Sequence, residues 1–249
     1  MTVIFDYEKV RFNHERAVDN IKKSIFLQEA AQDIIDRLKI LDKNFSNILD
    51  IECRDFGLSN LLVQAYKPAI IEVISAFEVE ESVFSAGKFD LVTFSLGLHW
   101  INDVQKFLSN IKRILKPDGI FIGNFVGGDS LKNIRKKFIE AEIEGKKPHF
   151  QHVSPFIHFD HVTPLFQHAG FVEVIIDYEN IQLTFDSPLD FIRVLKNIGE
   201  SGATNNQICR YIPKDVYAFL QSSAGDFVEH INVISFIASP NKNSIKLIG

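Results

Sequence analysis

"NILDIECRDFGLSNLL", residues 47–62, reads as a short buried strand that turns into a helix. In an open α/β sheet, ligands sit at the carboxyl ends of the strands, so the turn after Asp50 is where a nucleotide-type cofactor would lie. Such turns use glycine to reach φ > 0 and to let the backbone approach a ligand. Here the first glycine is Gly57, and bulkier residues stand before it.

Outward from this stretch the same alternation continues. Residues 57–66 have helical spacing and stop ahead of Pro68, which disfavours helix in the residue before it. "AIIEVI" (69–74) and "FDLVTFS" (89–95) read as strands, the latter with the apolar run of a strand covered on both faces. Residues 102–115 form a helix with Asn102 as its cap, "KPDG" (116–119) a turn, and 119–126 the next strand. Upstream, residues 14–41 hold one or two helices, with Ile34, Ile35 and Leu38 on one face. Downstream, 129–144 reads as a helix capped by Asp129 or Ser130, and 161–170 as a short helix ending on Gly170. "FVEVIIDYE" and "NIQLTFD" read as an antiparallel strand pair. Helices at 187–199 and around 214–221 and a strand at 231–239 complete the chain. The pattern predicts an α/β fold with a mostly parallel, doubly wound sheet and helical additions. It reads as one domain, with N-terminal helices over 1–45, a core over 46–145 and an extension with antiparallel strands over 146–249.

Composition narrows the function. The chain has 249 residues, 46% of them hydrophobic, which supplies a sizeable core. The net charge is −5 and the densest basic stretch, "KNIRKK" (132–137), reads as a solvated helix face, which argues against nucleic-acid binding. No apolar run approaches the length a membrane helix needs, roughly 20 residues. No signal core opens the chain. Two scattered cysteines, Cys53 and Cys209, form no disulfide framework, so the expectation is a cytoplasmic protein in a reducing compartment.

Three places at strand ends can carry chemistry: Asp50 and its turn, the residues after Ser75, and "SLGLHWIND" (95–103), which brings Ser95 and His99 to the ligand-facing edge. His99 either lines a pocket there or caps the next helix. A histidine-rich stretch, "HFQHVSPFIHFDH" (149–161), has the residue types of a 2-His-1-carboxylate iron site. Its plainer reading is a loop rich in histidine, and no metal is assigned.

The stretch that starts at "FDLVTF" resembles class I S-adenosylmethionine (SAM) methyltransferases, and the likeness spans nearly the whole chain. Within them it is most similar to the complex I assembly factors that modify an arginine, neighbours of the malonyl-carrier-protein methyltransferases of biotin synthesis. "LHWIND" and "KPDG" are widely shared in these enzymes. "GGDSL" (127–131) with "NIR" (133–135), "SPF" (154–156), "HAGF" (168–171), "GES" (199–201) and the early Phe5, Asp6 and Glu15–Ala17 carry the closer likeness. The resemblance implies a Rossmann-like fold, SAM as cofactor, and cofactor contacts from Asp50, Cys53, Phe77, Glu78, Ser95 and His99. It also implies a respiratory complex I subunit as partner.

The family's turn reads close to L-D-L-G-C-G-x-G. Asp50 and Cys53 match it, but Glu52, Arg54 and Phe56 occupy the glycine positions. A side chain forced into the left-handed region costs about 1–2 kcal/mol and fills space the ligand needs. Asp50 and Asp90 are only 40 positions apart. A strand-helix-strand unit takes about 30 residues, so the sheet should lack one strand-helix unit. Either "AIIEVI" is the second strand with Glu72 as the ribose acid, or it is the third with Phe77 and Glu78 beside the adenine. The second alignment is preferred because "FEVEESVFSAGKFDLV" (77–92) runs into Asp90 without a gap. Three functions follow: a SAM-using enzyme of the assembly-factor type, a cofactor-poor assembly factor that only binds, and a small-molecule carboxyl methyltransferase. "GGDSL" and "GES" rank the last behind the others.

Overall fold

The computed structural model describes residues 3–51, 57–81, 84–146, 150–205, 212–223 and 225–248. Among them are four parallel strands: β1 (Asn47–Ile51), β2 (Ile70–Ile74), β3 (Phe89–Ser95) and β4 (Leu115–Gly127). Two more, β5 (Glu173–Phe185) and β6 (Phe227–Ser239), join antiparallel, giving one sheet in the order β2-β1-β3-β4-β6-β5. β2 is the one described strand between β1 and β3 in the chain, so the sheet is short on that side, as the spacing of Asp50 and Asp90 requires.

Successive strand residues point to opposite faces, and each face has its own cover. Ile48, Leu91, Ile120 and Ile122 pack under α2 (Ile25–Lys39) and α3 (Gly57–Tyr66), against Ile34, Leu38 and Leu62. Leu49, Val92, Phe94 and Phe121 face α5 (Val104–Ile114) and α7 (Phe159–His168), against Phe107, Ile111 and Phe166. α4 (Ala76–Glu81) contributes Ala76 to this second face. α1 (Tyr7–Ile21) precedes α2 as a separate helix, with Ser24 capping α2 through Leu27 N–H.

β4 stops where Gly127 pairs with Asn232, but β6 and β5 run on together past that point, to Phe227 opposite Phe185. This overhang carries a third core. α6 (Lys132–Glu144), α8 (Pro188–Asn197) and α9 (Lys214–Ser222) pack there through Ile134, Phe138, Phe191, Val216 and Leu220 around Phe227. Among the described residues no helix is long and apolar enough to cross a membrane.

Several local expectations are corrected. "KPDG" is a bulge inside β4, because Phe89 pairs with Leu115 while Leu91 already pairs with Ile120. The two strands expected over 171–186 are one, β5. Its polar middle, Asp177 to Asn180, pairs residue by residue with Ser235 to Asn232. Polar residues are tolerated because β5 is an edge strand whose middle faces solvent. α5 is capped by Asp103, which accepts from Lys106 N–H, and Asn102 is released for another role. α6 begins after Leu131 at φ +62°, with neither Asp129 nor Ser130 as its cap. The first amides of a helix lack partners within it, and here they are satisfied from β6. Glu229, fully buried, accepts from Asn133 N–H (3.2 Å) and Ile134 N–H (2.7 Å).

Glu229→Ala removes this cap and strands buried amide donors, so it should lower the free energy of unfolding by about 2 kcal/mol. Urea denaturation measures it. A loss under about 0.5 kcal/mol, the range of an ordinary surface change, would show that α6 does not depend on the carboxylate.

Candidate functional site

At the end of β3 the chain turns sharply at Leu96, whose φ is +48°. That conformation is costly for a residue with a Cβ. Asn124 on β4 holds the turn. Its Oδ1 accepts from Leu96 N–H and Ser95 Oγ (both 3.2 Å), and its Nδ2 donates to Ala30 O of α2 at 2.8 Å. Gly97 follows, where a Cβ would fall 2.2 Å from the Phe94 ring. This tight passage leads into one short turn of 3-10 helix, Leu98–Trp100, which buries both His99 and Trp100 at the carboxyl edge of the sheet.

Asn102 then clamps the N-terminal segment. Its Oδ1 accepts from Ile4 N–H and Phe5 N–H (2.8 Å each), its Nδ2 donates to Phe5 O (3.0 Å), and its N–H donates to Tyr7 Oη (2.9 Å). On its other side the segment pairs with 203–205, through Asp6 N–H to Ala203 O and Asn205 N–H to Ile4 O (2.8 Å each). Phe5 meets Trp100 edge-on at 5.3 Å, and the Tyr7 ring packs on Phe77 at 4.2 Å.

Between α1, the strand ends of β3 and β4, and the overhang lies a cavity of about 870 Å³. Its walls include Leu96, His99, Trp100, Val126 and, from the overhang's core, Phe138 and Phe191, and its size is that of a small-molecule site. Glu200 sits in its wall. Gly199, at φ +80°, ends α8 and turns the chain, with Glu200 N–H donating back to Leu195 O. A Cβ on Gly199 would lie 2.9 Å from His14 Cδ2, so α1 approaches closely here. Trp100 Nε1–H donates to Glu200 Oε2 at 3.2 Å, and His99 Nε2 lies 3.3 Å from the same oxygen. His14 Nε2 is 3.9 Å from Oε1. In the neutral ring, a proton on Nε2 would serve the Glu200 carboxylate and leave Nδ1 as an acceptor. That Nδ1 is buried without a hydrogen-bond partner among the described residues, on a side chain only 3% exposed. A second buried pair borders the cavity: His152 Nε2 lies 2.7 Å from Glu142 Oε1, and its ring stacks on Phe138 at 4.1 Å.

The residues singled out from sequence divide between two places. His99 lines the cavity, whereas Asp50, Phe77, Glu78 and Ser95 lie along the ends of β1 to β3 and are not among its walls. Asp50, fully buried, accepts from Thr93 Oγ1 at 2.7 Å. Glu78 Oε2 accepts from Ser75 N–H at 3.2 Å. Glu72 faces Leu49 in mid-strand and its carboxylate is taken by Lys88. Cys53 lies outside the described residues, as do Glu52, Arg54 and Phe56, Cys209 and His149. His158 stands over half exposed, 3.6 Å from Asp129, and among the described residues no group of three His, Cys, Asp or Glu could hold a metal. Glu200 stands in "GES", which the sequence marks only as a likeness; the signal that points to it is the helix-ending glycine immediately before it.

The profile of the methyltransferase-domain family matches residues 24–175. "Putative methyltransferase RP459" of Rickettsia prowazekii is 48% identical over 223 residues, covering 84% of this chain and 99% of that one. The mouse mitochondrial arginine-hydroxylase NDUFAF5 is 31% identical over 225 residues, which covers 82% of this chain and 66% of the mouse protein, just under two thirds. Among solved structures, "a putative methyltransferase" from Bacillus halodurans C-125 aligns with 85% of this chain and all of that one, at a TM-score of 0.53 and 14% identity.

Asn102→Ala should free the N-terminal segment while the sheet stays folded. With both acceptor bonds to Ile4 and Phe5 gone, amide exchange at those two residues should rise about tenfold or more. Exchange measured by NMR or mass spectrometry at wild-type rates would show that the clamp does not hold the segment.

Proposed function

The chain belongs to the class I SAM-dependent methyltransferase family, and from that premise we propose that it is an enzyme of the assembly-factor type that takes an arginyl side chain of a partner protein into the cavity at Glu200. The observation that carries the reading is a carboxylate set in the wall of an otherwise largely apolar cavity, with the Trp100 ring at its side. A carboxylate has about four acceptor sites, so a guanidinium would share Glu200 with its existing partners, Trp100 and His99 among them. The indole face adds cation–π attraction. Val126, Phe138 and Phe191 suit the aliphatic stem. His99 Nδ1, which has no hydrogen-bond partner among the described residues, would accept a hydrogen bond from the bound group. The partner inferred is a respiratory complex I subunit, by likeness to the assembly factors and to the mouse arginine-hydroxylase.

For SAM, the ends of β1 to β3 form the shelf that the fold offers. Phe77 and Glu78, beyond the carboxyl end of β2, would border the adenine, and no carboxylate is assigned to the ribose. SAM, if bound there, would supply an electrophilic methyl group. The shelf fits in part: the Tyr7 ring already packs on Phe77, and the turn's residues at 52, 54 and 56 are not glycine. Those two observations favour a second reading, a cofactor-poor factor that grips its partner without chemistry.

Calorimetry separates these. An arginyl peptide should bind, and Glu200→Gln should weaken it about tenfold or more through loss of a charge-assisted bond. SAM should give measurable heat in the millimolar range. Peptide binding indifferent to Glu200→Gln overturns the arginyl pocket, and no heat from SAM leaves the binding-only factor.

A further inference from the structure

The cavity is polarised. Its wall holds the Glu200 carboxylate, while its exposed lip carries Arg16 on α1 and Lys196 on α8. Neither cation forms an ion pair among the described residues, unlike Arg11, which is held by Glu8, and Arg193, held by Asp190. The same lip exposes two apolar side chains, Phe12 at 60% and Val194 at 42%. The Arg16 guanidinium stands 5.7 Å from the centre of the Phe12 ring, which keeps that charge over the lip. Asp6 is the acid of the same wall near the lip, and it is engaged as the α1 cap with Lys9 N–H. On a chain of net charge −5, a cationic lip around an exposed aromatic runs against the overall charge.

We propose that this lip is a docking site for the segment around the buried arginyl side chain, and that it selects segments with acidic residues flanking the arginine. The inference rests on the arginyl reading of Glu200 and adds to it which neighbours the arginine must have. A cation entering alone would be repelled by Arg16 and Lys196. A guanidinium carried between two carboxylates offsets that repulsion and places each charge beside its opposite. Phe12 and Val194 then bury the apolar part of the segment and shield the charge pairs from water.

The test uses the full chain and two fluorescent peptides with one central arginine, flanked by glutamates in one and by alanines in the other. At low salt the glutamate-flanked peptide should bind about five- to tenfold more tightly, and the preference should shrink as salt rises. The double variants R16E/K196E and R16Q/K196Q, both confined to exposed positions, should abolish the preference and leave the circular dichroism spectrum unchanged. Equal affinity for the two peptides, or a preference that survives in both double variants, overturns the proposal. Glu200→Gln separates it from its premise. If that variant weakens both peptides alike and spares the preference, both hold. If the preference stands but Glu200→Gln changes nothing, the lip is right and the arginyl pocket wrong. If Glu200 matters and flanks do not, the reverse is true. No binding of either peptide overturns both.

Discussion

One carboxamide ties together the elements on which the site depends. Asn124 is fully buried on a central strand, and its side chain accepts from two groups at the end of β3 while donating to a carbonyl of α2. The bonds hold Leu96 in a left-handed conformation that a leucine would otherwise leave. That conformation costs about 1–2 kcal/mol. A single strained residue persists where its surroundings over-determine it. What the strain secures is direction. The chain leaves β3 sideways, and within two short turns presents His99 and Trp100 to the cavity and Asn102 to the N-terminal segment.

The cavity owes its other walls to an imbalance in the sheet. Among the described residues, one side of β1 carries β2 alone, five residues long and partly exposed. On the other side β5 and β6 overrun β4 and carry a helical layer beyond the strand ends. Among the described residues the cavity lies over the ends of β3 and β4. Beyond the end of β2 the N-terminal segment lies against the sheet, where Tyr7 packs on Phe77.

Periodicity made the sheet legible. β2 and β3 carry apolar residues on both faces, which few other structures require, and their bounds follow the apolar runs closely. Where sequence misled, the deciding partner was far along the chain. Asn102 has the chemistry of a helix cap but is drawn off by residues 4 to 7, and the cap of α6 arrives from Glu229, 95 residues along from Ile134. The polar stretch 177–180 resembles a turn unless its exposed edge position is known. His99 was legible because it closely follows a strand of the parallel core. Glu200 was not, since nothing local says that α8 ends against His14 and turns its next residue toward Trp100.

Two carboxylates at the same edge of the sheet, one fully buried and one partly, show why position, more than residue type, decides which is open to a ligand. Asp50 is fully enclosed and held by Thr93 across the β1–β3 pair, so it ties the two strand ends together. Glu200 keeps 17% of its side chain accessible and looks onto a cavity. A buried carboxylate is costly unless donors surround it, and Trp100 and His99 are two of the groups that do so. The same low dielectric that sets that cost strengthens any further donor that enters from the cavity. A planar cation with several N–H groups suits such a wall better than water or a neutral ligand, because it brings both the donors and the opposite charge.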